Sequence, residues 1–117
     1  MTIATLIKVS VFANQKGNID LEIPSSLRTM EDGESKQIGF GVFRIINQKD
    51  GDKRIVWNAN ILDEIQDAKE LFNKLIAEGF IPYCVNSLGK RITSIMKEFN
   101  PRAEEIIFAP IQAMIGG

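Results

Sequence analysis

Apolar and polar residues alternate over short stretches at both ends of this chain, and one long segment departs from that period. Between residues 60 and 79 the apolar positions recur at three- and four-residue steps, so that Leu62, Ile65, Ala68, Phe72, Leu75 and Ile76 fall on one side of a helix. Asp63, Glu64, Asp67, Glu70, Lys74 and Glu78 fall mostly on the other. The spacing predicts a single amphipathic helix. Asn60 is placed to cap its first turn, and Asp63, three residues on, to reach back in a capping box. Asp63 and Glu64 also complement the positive end of the helix dipole, and Gly79 offers a left-handed stop.

The other apolar residues read as strands. Ile7, Val9 and Val11 alternate within residues 5 to 13, and Ile19, Leu21 and Ile23 alternate with Asp20 and Glu22, with a turn at 14 to 18 between them. These two strands predict an N-terminal hairpin that Pro24 ends. Residues 24 to 36 are polar and without period, and read as a long solvated loop. A strand follows within 37 to 47, where Gly39 and Gly41 predict a bulge or a close backbone approach. A phosphate-binding loop fails there on spacing, since no Gly-Lys-Ser/Thr follows. Asp50-Gly51 predicts a tight turn into a returning strand, Lys53 to Trp57, with Trp57 anchoring the core where this hairpin meets the helix. Beyond the helix, strands are expected at 80 to 85, 90 to 96 and 105 to 109. Pro82 argues for an edge or a strand start, while the unbroken apolar run Ile106-Ile107-Phe108-Ala109 argues for a central position. The expected fold is α+β: a mixed sheet with one helix packed across it, plus the N-terminal hairpin.

Composition narrows the functions. With 44% hydrophobic and 25% charged residues the 117-residue chain sits near the globular norm, which predicts one folded domain. A net charge of −1 supplies no overall pull toward nucleic acid, and no apolar run approaches the roughly 20 residues of a membrane span. The first residues lack the basic lead and apolar stretch of a signal peptide, so a cytoplasmic location is expected. Cys84 is the sole cysteine and histidine is absent, which removes internal disulfides, histidine-based catalysis and structural zinc. Cys84 reads as an inert buried thiol, with no base to activate it. The helix carboxylates Asp63, Glu64, Asp67 and Glu70 read as a solvated face. Lys49, Lys53, Arg54, Lys90 and Arg91 are the basic residues on which nucleic-acid binding would have to rest, and Asp50 and Asp52 offset the first three locally. No catalytic residue, cofactor or metal is expected.

From residue 37 onward the order is strand, Asp-Gly turn, strand, helix, three strands and a tail. The last strand, Glu105-Ile106-Ile107-Phe108-Ala109-Pro110, runs into Ile111-Gln112-Ala113-Met114-Ile115-Gly116-Gly117. This order and ending resemble the β-grasp of ubiquitin-like proteins, in particular the sulfur carriers of thiamine and molybdopterin synthesis and the ubiquitin-like tail-assembly proteins of phages. The carrier resemblance implies a terminal glycine carboxylate that an E1-like enzyme adenylates before thiocarboxylate formation or conjugation. A paired glycine suits that role because a tail without side chains can thread a narrow channel. In this chain, however, five residues separate Pro110 from Gly116, and Ile111, Met114 and Ile115 among them are large and apolar. The N-terminal 35 residues and the longer apolar hairpin at 88 to 100 are further additions to the carrier plan.

The chain thus divides into an N-terminal hairpin and loop (1–35), a β-grasp-like core (36–110) and an apolar Gly-Gly tail (111–117). The leading expectation is a non-enzymatic interaction subunit with protein partners or copies of itself. It would dock through its edge strands and through Pro110, Ile111, Met114, Ile115, Gly116 and Gly117. A viral or phage particle assembled in the cytoplasm is a fitting setting. The alternative is a ubiquitin-like carrier or modifier acting through Gly117.

Overall fold

A computed structural model describes residues 6–13, 17–31, 33–35, 37–46, 52–86 and 90–110. Its elements run β1 (Leu6–Ala13), β2 (Gly17–Pro24), β3 (Arg28–Thr29), β4 (Phe40–Ile45), β5 (Lys53–Asn58), α1 (Leu62–Ala77), β6 (Phe80–Val85), β7 (Arg91–Ile95) and β8 (Glu105–Pro110). β1 and β2 pair antiparallel with each other, while the other strands form one sheet in the order β3-β5-β4-β8-β6-β7. Within it β4 and β8 are parallel and every other pair is antiparallel. A parallel pair needs a crossover, and α1 lies within it, packed against β5 and β6 on one face. The fold is therefore α+β and β-grasp-like, with one helix across a mixed sheet. The expected central strand is β8, which lies between β4 and β6. Of the turn expected at 14 to 18, Gly17 and Asn18 belong to β2 and 14–16 lie outside the described residues, as does Asp50-Gly51.

The covered face of the sheet explains the stability of the fold. Phe43, Trp57, Phe72 and Phe108 are all fully buried there. Their rings meet at tilted or edge-on angles, with centroids 4.6 Å apart for Phe43–Trp57, 5.3 Å for Phe43–Phe108 and 5.6 Å for Phe72–Phe108. Trp57 is the core anchor expected of it: its indole N–H donates to the Pro101 carbonyl at 3.1 Å, so burial leaves no donor unpaired. Gly41 pairs with Trp57 across the strands, and a Cβ at Gly41 would overlap that ring. The close approach expected at the Gly-Phe-Gly step is this one. Gly39 instead supplies a positive φ of 86° in the turn before β4.

Among the described residues the N-terminal hairpin pairs with no strand of the larger sheet, and side chains from it and from the loop that follows reach the common core. Val11, Leu21, Ile23 and Leu27 are buried in the same core as the helix residues Leu71, Phe72 and Leu75. Four such side chains contribute roughly 6–12 kcal/mol of hydrophobic stabilisation as an upper bound. The Ser26 hydroxyl also donates to Asp67 of α1.

Several local expectations need correction. The N-cap of α1 is Ile61, which makes no side-chain cap bond, so Asn60 and Asp63 do not form a capping box. Glu64 does the reaching back, accepting the Asn58 N–H at 2.9 Å, while Asn58 Oδ1 accepts the Asn60 N–H at 2.9 Å. The cap therefore forms two residues earlier, around Asn58. The buried side of α1 is Ala68, Leu71, Phe72 and Leu75, with Ile65 partly covered. Leu62 and Ile76 are exposed, Leu62 at the first position of α1 and Ile76 beside the buried Leu75. Gly79, at a φ of 100°, is the left-handed stop expected. Pro82 sits inside an interior strand rather than at an edge. Its carbonyl accepts from Met96, one residue past the end of β7, so its nitrogen faces the last rung of the β6–β7 pairing and the missing donor falls at the end of that ladder. The loop at 24 to 36 is only partly solvated: Leu27 is buried and β3 pairs with β5.

Candidate docking surfaces

Each candidate surface is fixed by where a strand starts or stops. β8 ends at Pro110, which is buried and paired with Phe80 at the start of β6. The chain therefore leaves the middle of the sheet at the end where α1 stops. Of the tail residues singled out above, Pro110 is placed in this way, and Ile111, Met114, Ile115, Gly116 and Gly117 lie outside the described residues.

The opposite end gathers the start of β4, the end of β5, the start of α1 and the start of β8. There the Ala59 N–H donates to the Gly39 carbonyl at 2.9 Å, which joins the turn before β4 to the turn before α1. Ile38 is 99% exposed, Leu62 81% and Ile61 43%, so these two turns present large apolar side chains to solvent. Beside Ile38 lies a groove of about 390 Å³, lined by Phe40, Ala59, Asn60, Pro101 and Ala103 among others. Sequence reasoning missed this surface because Leu62 fits the helix period and Ile38 fits the strand period. The available signal was position, since both lie at the first step of their segment.

The face of the sheet away from α1 carries the charged chemistry. Register places Arg44 opposite Arg54 on β5 and Ile107 on β8, with Glu105 two residues back along β8, opposite Val42. Arg44 Nε donates to Asp52 Oδ2 at 2.7 Å, and Arg44 Nη1 lies 3.7 Å from Glu105. The Asp52 bond, ahead of the Coulombic pull of Asp52 and Glu105, holds the guanidinium pKa above its ordinary value despite partial burial. At the β3 margin, Glu34 accepts the Glu31 N–H at 3.0 Å and a bond from Arg28 at 2.7 Å. The Glu31 bond first, then Arg28, lowers the Glu34 carboxyl below the usual range. Met30, Val42, Arg44, Arg54, Glu104 and Glu105 border a groove of about 410 Å³ on this face. Its two arginines stand among carboxylates, so the groove has mixed charge and no single-sign field to select an ion.

The basic residues do not converge. Lys53 and Arg54 open β5 at one end of the sheet, whereas Lys90 and Arg91 open β7 at the other end and toward the opposite edge. Lys49 lies outside the described residues. The helix carboxylates are not a uniformly solvated face, because Glu64 and Asp67 accept the bonds from Asn58 and Ser26. Cys84 is a buried free thiol whose pKa burial first, and the Glu104 charge second, pushes up. Among the described residues no group of Cys, Asp and Glu is placed to hold a metal, and no helix is long and apolar enough to cross a membrane. Among the described residues, the larger sheet has no strand paired to the outer side of β7, nor to β5 beyond the two residues that β3 covers. In comparisons with known proteins, no family model, no curated protein and no solved structure matches this chain.

Proposed function

We propose that this chain is a non-enzymatic interaction subunit that docks into a larger assembly through its apolar tail and its open strand edges. The observation that carries the reading is the path of β8. The most enclosed strand of the sheet delivers its end, at Pro110, straight into a segment bearing Ile111, Met114 and Ile115. A tail rooted in the sheet centre passes force and position to the whole domain, whereas one on a loop would swing. Apolar side chains on such a tail gain most by burial in a partner. The open edges of β7 and β5 offer backbone pairing to the same end. A viral or phage particle is the setting we favour, on the resemblance to ubiquitin-like tail-assembly proteins.

The carrier reading uses the same β8 and tail but places the chemistry at Gly117. Two tail variants separate the readings. Changing Ile111, Met114 and Ile115 to serine should block entry into the native assembly, measured by sedimentation with it, and deleting Gly116 and Gly117 should not. The reverse pattern, with loss of thiocarboxylate or conjugate formation on deleting the glycines, would establish the carrier and remove the docking subunit.

A further inference from the structure

We propose that the groove on the sheet face away from α1 binds a small organic carboxylate. Arg54 takes the carboxylate, and Met30 and Val42 take an apolar body. Register brings three arginines onto this face from consecutive strands of the sheet. Arg44 on β4 lies directly opposite Arg54 on β5, and Arg28 on β3 lies opposite Val56, two residues on from Arg54. Positions directly opposite or one step diagonal on a sheet face are within reach of long side chains. The fold supplies carboxylates to two of the three. Glu34 meets Arg28 at 2.7 Å, and Asp52 meets Arg44 at 2.7 Å, with Glu105 at 3.7 Å beyond. Arg54 stands between them, half-buried, and among the described residues nothing pairs with its guanidinium. Like charges directly opposite weaken a strand pair, and partial burial of a cation without an acceptor adds to that cost. One further carboxylate is what this row of arginines lacks.

The rest of the groove narrows the class of ligand. Its volume of about 410 Å³ falls in the range of small-molecule sites. The Met30 N–H donates to the Arg54 carbonyl at 2.8 Å, which fixes an apolar side chain's backbone beside the arginine, and Val42 lines the groove as well. A guanidinium fork holds a carboxylate through two parallel bonds, and the adjoining Met30 and Val42 give a short hydrocarbon a surface to cover. Glu34, Glu104 and Glu105 border the same groove, so a multiply charged anion such as phosphate meets repulsion around the single unpaired cation. The mixed charge thus selects by contact rather than by field: one negative charge on an apolar body. None of the tail residues takes part, so this binding activity is additional to the docking role proposed above.

The test titrates the full-length, isotope-labelled chain and follows its backbone amide signals by nuclear magnetic resonance. Isocaproate is the probe. Isocaproamide, which has the same body without the charge, and inorganic phosphate are the comparisons. Isocaproate should shift the Met30, Arg44 and Arg54 signals saturably, and the amide and phosphate should bind about tenfold more weakly or less. Arg54→Gln should weaken isocaproate by about the same factor, and Arg54→Lys, which keeps the charge but loses the fork, should fall between. Arg102→Gln, which removes an arginine outside the groove, should bind like the wild type. Near-ultraviolet circular dichroism checks that each variant is folded; should the glutamine variant lose its native spectrum, the lysine variant carries the comparison. Equal binding of the amide would show that the groove takes the apolar body alone and would overturn the proposal. Equal binding of phosphate would make this a general anion site and overturn it too. Binding that survives in both Arg54 variants, or no saturable shift with isocaproate, would remove Arg54 as a ligand group. Every one of these failures leaves the tail, and the docking subunit built on it, untouched.

Discussion

The two faces of the sheet are built from the same strands in alternate residues, yet they are different materials. On the α1 side, Phe43, Ile45, Ile55, Trp57, Ile106 and Phe108 are all fully buried, and the rings interlock. On the far side, Val42, Val56, Tyr83 and Val85 are buried as well, but Arg44, Arg54 and Glu105 stand half-exposed between them. The first face is closed by volume and shape. The second is closed by smaller apolar side chains with charged neighbours leaning over them. Changes of volume should therefore dominate on the first face, and changes of charge should register, weakly, on the second.

The sharpest break is Gly41→Val. The Trp57 ring lies on that glycine, and the neighbouring rings leave the indole no space to retreat. The expected outcome is a chain that does not reach the native state, read as loss of the near-ultraviolet tryptophan signal. Phe43→Ala follows, with an expected loss of roughly 3–5 kcal/mol in urea unfolding. That is a large share of the 5–15 kcal/mol typical of a domain. Val56→Ala, one residue from Trp57 on the other face, should cost only about 1.5 kcal/mol for two lost methyl groups. Equal losses at Phe43 and Val56 would mean that the faces do not differ in the way described.

What alternation can report explains which of these features were legible. Period decides which residues share a face, so the strands, the helix, the central β8 and the buried Trp57 all follow from spacing. The Gly39–Gly41 step also signalled a close approach, because a glycine inside a strand needs a reason. Period cannot say how far an element overhangs its neighbours. Leu62 matches the buried stripe of α1, yet at the first position of the helix it stands in water. Nor can period see contacts of long separation within polar stretches. Leu27 and β3 looked like linker because two paired residues are too few to show alternation. Pro82 pointed to an edge by a rule that concerns whole strands, whereas the neighbouring β7 stops beside it. The exposure of Ile38 was hidden for the same reason as that of Leu62: both residues obey the pattern.

The charged face supplies the next prediction, and it is small. Arg44→Gln removes the bond to Asp52 and the looser contact to Glu105, but it also relieves the like charge of Arg54 directly opposite. These side chains are one quarter to two fifths exposed, so solvent screening reduces the ionic gain. The expected net loss is below about 1 kcal/mol, and it should shrink further in high salt. A loss as large as that at Phe43, insensitive to salt, would make Arg44 a packing residue and erase the contrast between the faces.

The smallest effect compares two titrations, one at each side of the sheet. Cys84 points into the covered face, where desolvation raises its pKa. The thiol is then protonated at neutral pH and should label slowly with a thiol reagent until the protein is unfolded. Its contribution to stability is fully present below the ordinary thiol pKa and is lost as pH rises through the raised one. Glu34, at the open side, is shifted the other way by the Glu31 N–H and Arg28. Its bonds are complete above the ordinary glutamate range and are lost as pH falls through the lowered value. Being solvent-facing, they should leave the global transition unmoved and act on the loop alone. Acidification, or Glu34→Gln at neutral pH, should lower the protection of the Glu31 amide relative to its intrinsic exchange rate while the protection at Phe43 stays unchanged. A coupled loss of protection at both sites would show that the loop and the core open as one unit. The open face would then be as cooperative as the closed one, and the difference between them would be one of composition alone.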